Sequence, residues 1–313
     1  MNEELFISGR NLHKIDPHLE VWEFPIAFYL FLGGLAAGIL LFASIAVLLD
    51  KEEKLPATTR WAPVIAPIAI VIGLVALIID LTHKVYVWQL YLTIRIESPM
   101  SWGAWVLLIV TPLSFLWVFA DLRKIFPKLD WRLSILYKLE SFTREHKKFL
   151  AMILIPLCLI LGIYTGILLS AFNARPLWNN AILGPLFLTS GLSTAAASII
   201  LLAKSDYEKH LFSKIDVGLI IIEIGLIIHM VMGYYAGGEA QIDAIQILIR
   251  GDYSTMFFVF LVGLGLLFPL LLEVLELLGL KLSIVIPAIL VLIGGLVFRI
   301  LMVDAGQLTR ILY

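Results

Sequence analysis

Four ionisable side chains stand inside stretches that are otherwise apolar: Asp80, Glu223, His229 and Arg299. Such groups are costly in hydrocarbon and are kept for substrate sites, proton relays or structural pairing. Tyr29 and Tyr164 share these stretches, and His18, Glu20 and His83 stand at their boundaries. Phenol, imidazole and carboxylate together suit a lipid-soluble carrier such as a quinone. Each quinone oxygen needs a hydrogen-bond donor, and reduction consumes two protons that a nearby acid–base group relays. Glu223 and His229 are six residues apart, so at about 100° per residue they face roughly 120° away from each other. They are no common ligand pair, but with Ser190, Ser193 and Thr194 they can be successive stops of a proton path.

Other chemistries are narrowed. The single cysteine, Cys158, forms no internal disulfide and cannot hold an iron–sulfur cluster, which usually takes four thiolates. No metal-ligand spacing, Walker loop or dinucleotide fingerprint is present. A haem between helices commonly takes two histidines, and only His83 and His229 stand near membrane depth; His83 lies at a boundary, so no haem is expected. A net charge of −1 argues against a nucleic-acid partner.

The elements that must carry these residues follow from composition. Of 313 residues, 61% are hydrophobic and 15% charged, and mean hydropathy is +0.98. A spanning helix needs about 20 apolar residues to cross about 30 Å of hydrocarbon. Eight stretches qualify, at 24–49, 62–81, 102–121, 149–171, 181–203, 215–236, 255–279 and 284–303. The expectation is an all-α integral membrane protein, a single domain over 1–313, with the lipid bilayer as its first partner. The residues before the first span are acidic (Glu3, Glu4, Asp16, Glu20, Glu23), unlike a signal peptide, so that helix is taken as retained.

An even number of spans places both termini on one side. The opposite loops carry about twice as many Lys and Arg, chiefly in loop 3–4 from Arg123 to Lys148, so the positive-inside bias puts both termini outside. Within that loop Trp131, Leu133, Ile135 and Leu136 alternate with charges, as in an amphipathic helix on the inner surface. Phe31–Gly38 in span 1 resembles Phe187–Thr194 in span 5 with one residue of slip. Two parallel four-helix halves would produce this, and so would the small residues of any close helix packing.

Orientation gives each polar group a depth. Asp80, His83, Tyr164, Asn173, Arg175, His229, Arg299 and Asp304 fall in the outer half or at the outer boundary, where several can converge on one pocket. Asp80 with Arg299 reads equally as a structural ion pair. Asp121, Asp216, Glu273 and Glu276 fall near inner ends and read as solvated carboxylates. Glu223 is deeper, and reads either as a proton carrier or as a neutral, hydrogen-bonded group.

The same residues resemble a known family. Trp22-x-x-Pro25-Ile-Ala-x-Tyr29, followed by Gly33-Gly34-Leu-Ala-Ala-Gly38, is similar to the first helix of the NrfD-like polysulfide-reductase membrane subunits. Asp80-Leu81 and the block Ser98-Pro99-Met100-Ser101-Trp102-Gly103-Ala104-Trp105 resemble that family's helix 2–3 connection. Tyr164-Thr165-Gly166 resembles its fourth-helix tyrosine motif, and Gly294-Gly295-x-x-x-Arg299 with Gly306 its last helix. The resemblance implies eight helices with both ends out, and electron exchange with menaquinone or ubiquinone. It also implies a ferredoxin-like iron–sulfur partner subunit, often joined to a molybdopterin catalytic subunit, in a prokaryotic cytoplasmic membrane. The fourth-helix tyrosine lines the family's quinone pocket with a first-helix asparagine and histidine. Tyr164 carries over, whereas Pro25 and Tyr29 stand where those two align.

The resulting expectation is the quinone-reactive anchor of a respiratory oxidoreductase, inactive alone. Tyr164, Tyr29, His18, His83, Asp80 and Arg299 would bind quinone, and Glu223, His229 and Ser193 would carry protons. An ion-coupled secondary transporter and a purely structural anchor are the alternatives.

Overall fold

The computed structural model describes residues 22–126, 134–280 and 282–309. Among these residues it is helical, without strands. Eight helices are long and apolar enough to cross a membrane: α1 Phe24–Leu48, α2 Ala57–Asp80, α3 Pro99–Ala120, α4 Lys147–Ser170, α5 Leu183–Leu202, α6 Asp206–Tyr235, α7 Met256–Leu277 and α8 Val285–Leu308. His18 and Glu20 lie outside the described residues, as do Trp131 and Leu133.

The spans agree with the sequence expectation in number and order but not in every boundary. Helix α2 starts five residues before 62, with a π-helical turn at Ala57–Trp61. Its first amides are capped from another helix: the buried Glu208 carboxylate of α6 accepts from Ala57 N at 3.1 Å, Thr58 N at 2.8 Å and Thr58 Oγ1 at 2.7 Å. A hydropathy window cannot register a cap supplied from 150 residues away. Helix α6 starts at Asp206 rather than 215, because Asp206 and Glu208 suit the positive end of a helix dipole. Helix α8 runs on past 303 to Leu308.

The helices pack as two four-membered halves. In the first, α1 packs on α2 and α4, and α3 on α2 and α4; in the second, α5 packs on α6 and α8, and α7 on α6 and α8. The halves meet through α1, α4, α5 and α8. At the centre α1 crosses α5 backbone to backbone. A Cβ on Gly191 would stand 3.0 Å from the Gly34 carbonyl oxygen, and one on Gly38 would stand 2.6 Å from the Ala195 Cβ. The repeated glycine-rich segments are therefore the crossing point itself, where only hydrogen side chains let the two backbones touch.

One face of the bundle, here the terminal face, holds the start of α1 and the end of α8. The other, the basic face, holds the loop between α3 and α4. On the basic face Lys147 donates to Asp121 at 2.5 Å and Glu52 at 3.2 Å, while Trp117 Nε1 donates to the Thr59 carbonyl at 3.1 Å. Asp121 is 1% exposed, so it is not the solvated end residue expected; Lys147 neutralises it inside the helix junction. The helix Ser134–Glu145 turns Glu140 inward to Arg123 and Arg144, each at 2.6 Å, and leaves Ile135, Leu139 and Phe142 exposed. That agrees with the amphipathic surface helix expected there.

Candidate functional site

A narrow cavity of about 90 Å³ lies at the terminal face of the first half. Its polar lining is three phenols and a carboxylate: Tyr29 of α1, Tyr91 of the α2–α3 connection, Tyr164 of α4 and Asp80 at the end of α2. Leu77, Met100, Ala104, Leu107 and Leu168 supply apolar walls. Tyr29 and Tyr164 are buried with their phenols close together, and Tyr91 is within electrostatic reach of both. Each ring has a glycine for a seat. Tyr29 packs on Gly73 of α2, where a Cβ would stand 3.4 Å from the ring, and a Cβ on Gly103 of α3 would fall inside the Tyr164 ring.

The surrounding elements fix this geometry. The Trp22 amide donates to Gln307 Oε1 at 2.7 Å, and Gln307 Nε2 donates back to the Trp22 carbonyl at 2.6 Å, tying the entrance of α1 to the end of α8. Arg175 donates to the carbonyls of Gln307 and Thr309, where the negative end of the α8 dipole favours a cation. Burial in that seat pulls the Arg175 pKa down from its ordinary value. The 81–98 connection is pinned to the start of α3: the Arg95 amide donates to Ser101 Oγ at 3.1 Å, Ser101 Oγ donates to the Thr93 carbonyl at 3.3 Å, and Trp102 Nε1 donates to the Ile96 carbonyl at 2.6 Å. These bonds hold Tyr91 over the cavity, and burial pushes its phenol up from the usual range. Asp80 stands near the backbone of Glu23, at the N-cap of α1.

The residues expected to act together divide into three places. Tyr29, Asp80 and Tyr164 converge on the cavity. His83 is exposed in a wider recess of about 510 Å³ with Gln89 and Arg95, which shares Leu81, Leu90 and Met100 with the cavity. Arg299 joins neither. It is fully buried in the second half, donating to Ser190 Oγ, to the Gly295 carbonyl at 3.0 Å and to the Phe187 carbonyl at 3.1 Å. Its charge faces Glu223, not Asp80, so the Asp80–Arg299 pairing is not formed. The cause is azimuth: Arg299 points from α8 toward α5 and the Gly34 notch of α1, away from the α1–α2–α4 cavity.

Glu223 stands on the buried stripe of α6 with Asp216, Ile220, Ile227 and Met230, whereas His229 is off that stripe and exposed. Ser193 Oγ donates to Asp216 Oδ1 at 2.5 Å, and Asp216 neighbours Glu273 of α7. Both carboxyls are essentially inaccessible, at 0% and 1%, which overturns their reading as solvated end residues. Helices α6 and α7 face each other there and shut out solvent. Sequence reasoning does not single out Tyr91. Tyr91 lies in a four-residue helix, Gln89–Leu92, too short to carry a periodic signal.

No group of three or more His, Cys, Asp or Glu among the described residues is arranged to hold a metal ion. The cavity offers donors for a carbonyl oxygen and apolar walls for a ring. In the observed arrangement its volume is below the roughly 150 Å³ that accommodates a benzene ring. Residues 14–311 match the family model described as polysulphide reductase, NrfD. Among curated relatives, the sequence is 31% identical to the NrfD homolog of Haemophilus influenzae, covering 92% of this protein and 95% of that one. It is 30% identical to the C subunit of polysulfide reductase from Wolinella succinogenes, over 92% and 94%. With NrfD of Escherichia coli it shares 31% identity over 92% and 96%.

Proposed function

The chain belongs to the polysulphide reductase NrfD family, and we propose that it is the quinone-reactive membrane subunit of its respiratory oxidoreductase, with the three-tyrosine cavity as the head-group site. Membership makes it a multi-pass subunit of a redox complex in the bacterial cytoplasmic membrane. The observation that carries the finer reading is the meeting of Tyr29, Tyr91, Tyr164 and Asp80 in one apolar cavity at the terminal face.

The quinone is an exchangeable substrate, menaquinone or ubiquinone. Tyr164 and Tyr29, whose phenols stand side by side, turn their hydroxyls to a quinone oxygen, each donating one hydrogen bond. Quinol oxidation releases two electrons and two protons. The electrons pass to a ferredoxin-like iron–sulfur subunit and on to a molybdopterin catalytic subunit; the reverse direction reduces quinone with the same balance. Asp80, partly exposed at the rim, exchanges the proton with the aqueous side. With both termini outside, that side is the outer one. A proton path through the second half would use Ser193 and Glu223; Ser193 bonds there to Asp216, whereas His229 is exposed, off the buried stripe of α6.

Replacing Tyr164 by Phe in the intact complex removes one hydroxyl from a buried site. A lost hydrogen bond of about 1.5–3 kcal/mol lowers quinone-linked turnover roughly 10- to 100-fold. Unchanged turnover in an assembled complex would overturn the head-group assignment.

A further inference from the structure

Tyr164 borders a second space. On its other side, a groove of about 390 Å³ runs between α3 and α4, lined by Ile96, Trp102, Ile160, Ile163 and Ile167, with Glu97 at its end toward the terminal face. Ile160, Ile167 and Trp102 are 42%, 43% and 55% exposed, so the groove opens on the lipid-facing surface of the span pair. The cavity and the groove share Tyr164 as their common wall. Three consecutive residues of α3 mark the sequence of spaces: Trp102 lines the groove, Gly103 seats the Tyr164 ring, and Ala104 lines the cavity.

We propose that this groove is the subsite for the isoprenoid tail and that Tyr164 is the gate through which the head group passes from lipid into the cavity. The inference rests on the quinone reading and extends it. The cavity of about 90 Å³ is smaller than the roughly 150 Å³ cavity that takes up benzene, so admitting a head group calls for a wall to move. Tyr164 is the wall with room on both sides. Its ring lies flush against the bare backbone of Gly103, and rotating it into the groove joins the two volumes. The groove suits an apolar tail and nothing charged, because the ionisable side chains in its lining are Glu97 at one end and Tyr164 itself. A ligand with a ring at one end and a long hydrocarbon at the other matches the pair of spaces as they lie.

The test is binding to the full-length protein in lipid nanodiscs, with a long-tailed menaquinone and its tail-less naphthoquinone analogue as probes. Ile160→Trp and Ile167→Trp add bulk at exposed positions, where folding tolerates it, and a thermal melt verifies each variant. The expected result is at least a tenfold fall in preference for the tailed over the tail-less probe. Ile78→Trp, on the lipid face of α2, leaves that preference where it was. An unchanged preference in both groove variants, with Tyr164→Phe still weakening both probes, overturns the tail subsite and leaves the head-group site standing. Tyr164→Phe with no effect on either probe overturns the quinone reading beneath it.

Discussion

Arg299 and Glu223 offer a prediction that can be worked from the geometry. Arg299 is fully buried and Glu223 is 2% exposed, and each is the other's electrostatic counterpart. They form no contact ion pair: the terminal nitrogens of Arg299 donate to Ser190, Gly295 and Phe187, and its buried Nε has no hydrogen-bond partner. Somewhat beyond 4 Å, at an effective dielectric of about 20, two unit charges attract by less than about 4 kcal/mol. Substituting Met for Arg299 leaves the Glu223 carboxylate in the bundle without compensation, and removing one member of a buried pair costs about 3–5 kcal/mol. Glu223→Gln leaves the guanidinium in the same position, with a comparable loss. The double substitution strands neither charge. The hydrogen bonds Arg299 loses are the same in the single and the double variant, so they cancel in a double-mutant cycle. The expected coupling is about 2–4 kcal/mol, read as a melting midpoint for the double variant well above that of additive losses. Thermal unfolding of the purified full-length protein, followed by tryptophan fluorescence, measures it. Additive losses would refute the pairing, and a change in quinone affinity in Arg299→Met at unchanged stability would return Arg299 to the head-group site.

Three further outcomes follow from the packing. Glu208→Ala leaves three donors at the start of α2 without their buried acceptor, and the protein should lose about 3 kcal/mol of stability in the same melt, with Glu208→Gln recovering part of it. Gly38→Leu places a side chain where the Ala195 methyl and the Gly191 carbonyl already stand, so full-length protein yield and monodispersity on size exclusion should collapse, while Gly218→Ala, which meets nothing within 4 Å, should be silent. Gly103→Ala displaces the Tyr164 ring; quinone-linked turnover in the intact complex should fall at least tenfold, with a loss of about 1–3 kcal/mol from overpacking.

Much of the site is legible in the sequence. Tyr29, Asp80 and Tyr164 can be placed at one end of the bundle because depth along a spanning helix follows from hydropathy and the alternation of direction. Gly103 and Gly34 stand within recognisable motifs, though what fills the space beside each does not show there. Tyr91 is hidden because a connection without regular periodicity gives no facing. Asp121, Asp216 and Glu273 mislead for one reason: a carboxylate at a helix end is solvated unless a neighbouring helix covers it, and the covering helix belongs to another part of the chain.

The sequence by itself determined eight spans, the end of the bundle that Tyr29, Asp80 and Tyr164 share, and the small residues where backbones must touch, since all of these are local properties of hydropathy and side-chain size. The tertiary structure alone decided partners. Arg299 and Asp80 share a depth, but depth is one coordinate; the rotation of α8 and its position beside α5 are two more, set by packing among helices remote in sequence. Those two coordinates gave Arg299 to Glu223 and Ser190, brought Tyr164 beside Tyr29, and set the Tyr164 ring between a narrow cavity and a groove on the exposed surface of α3 and α4.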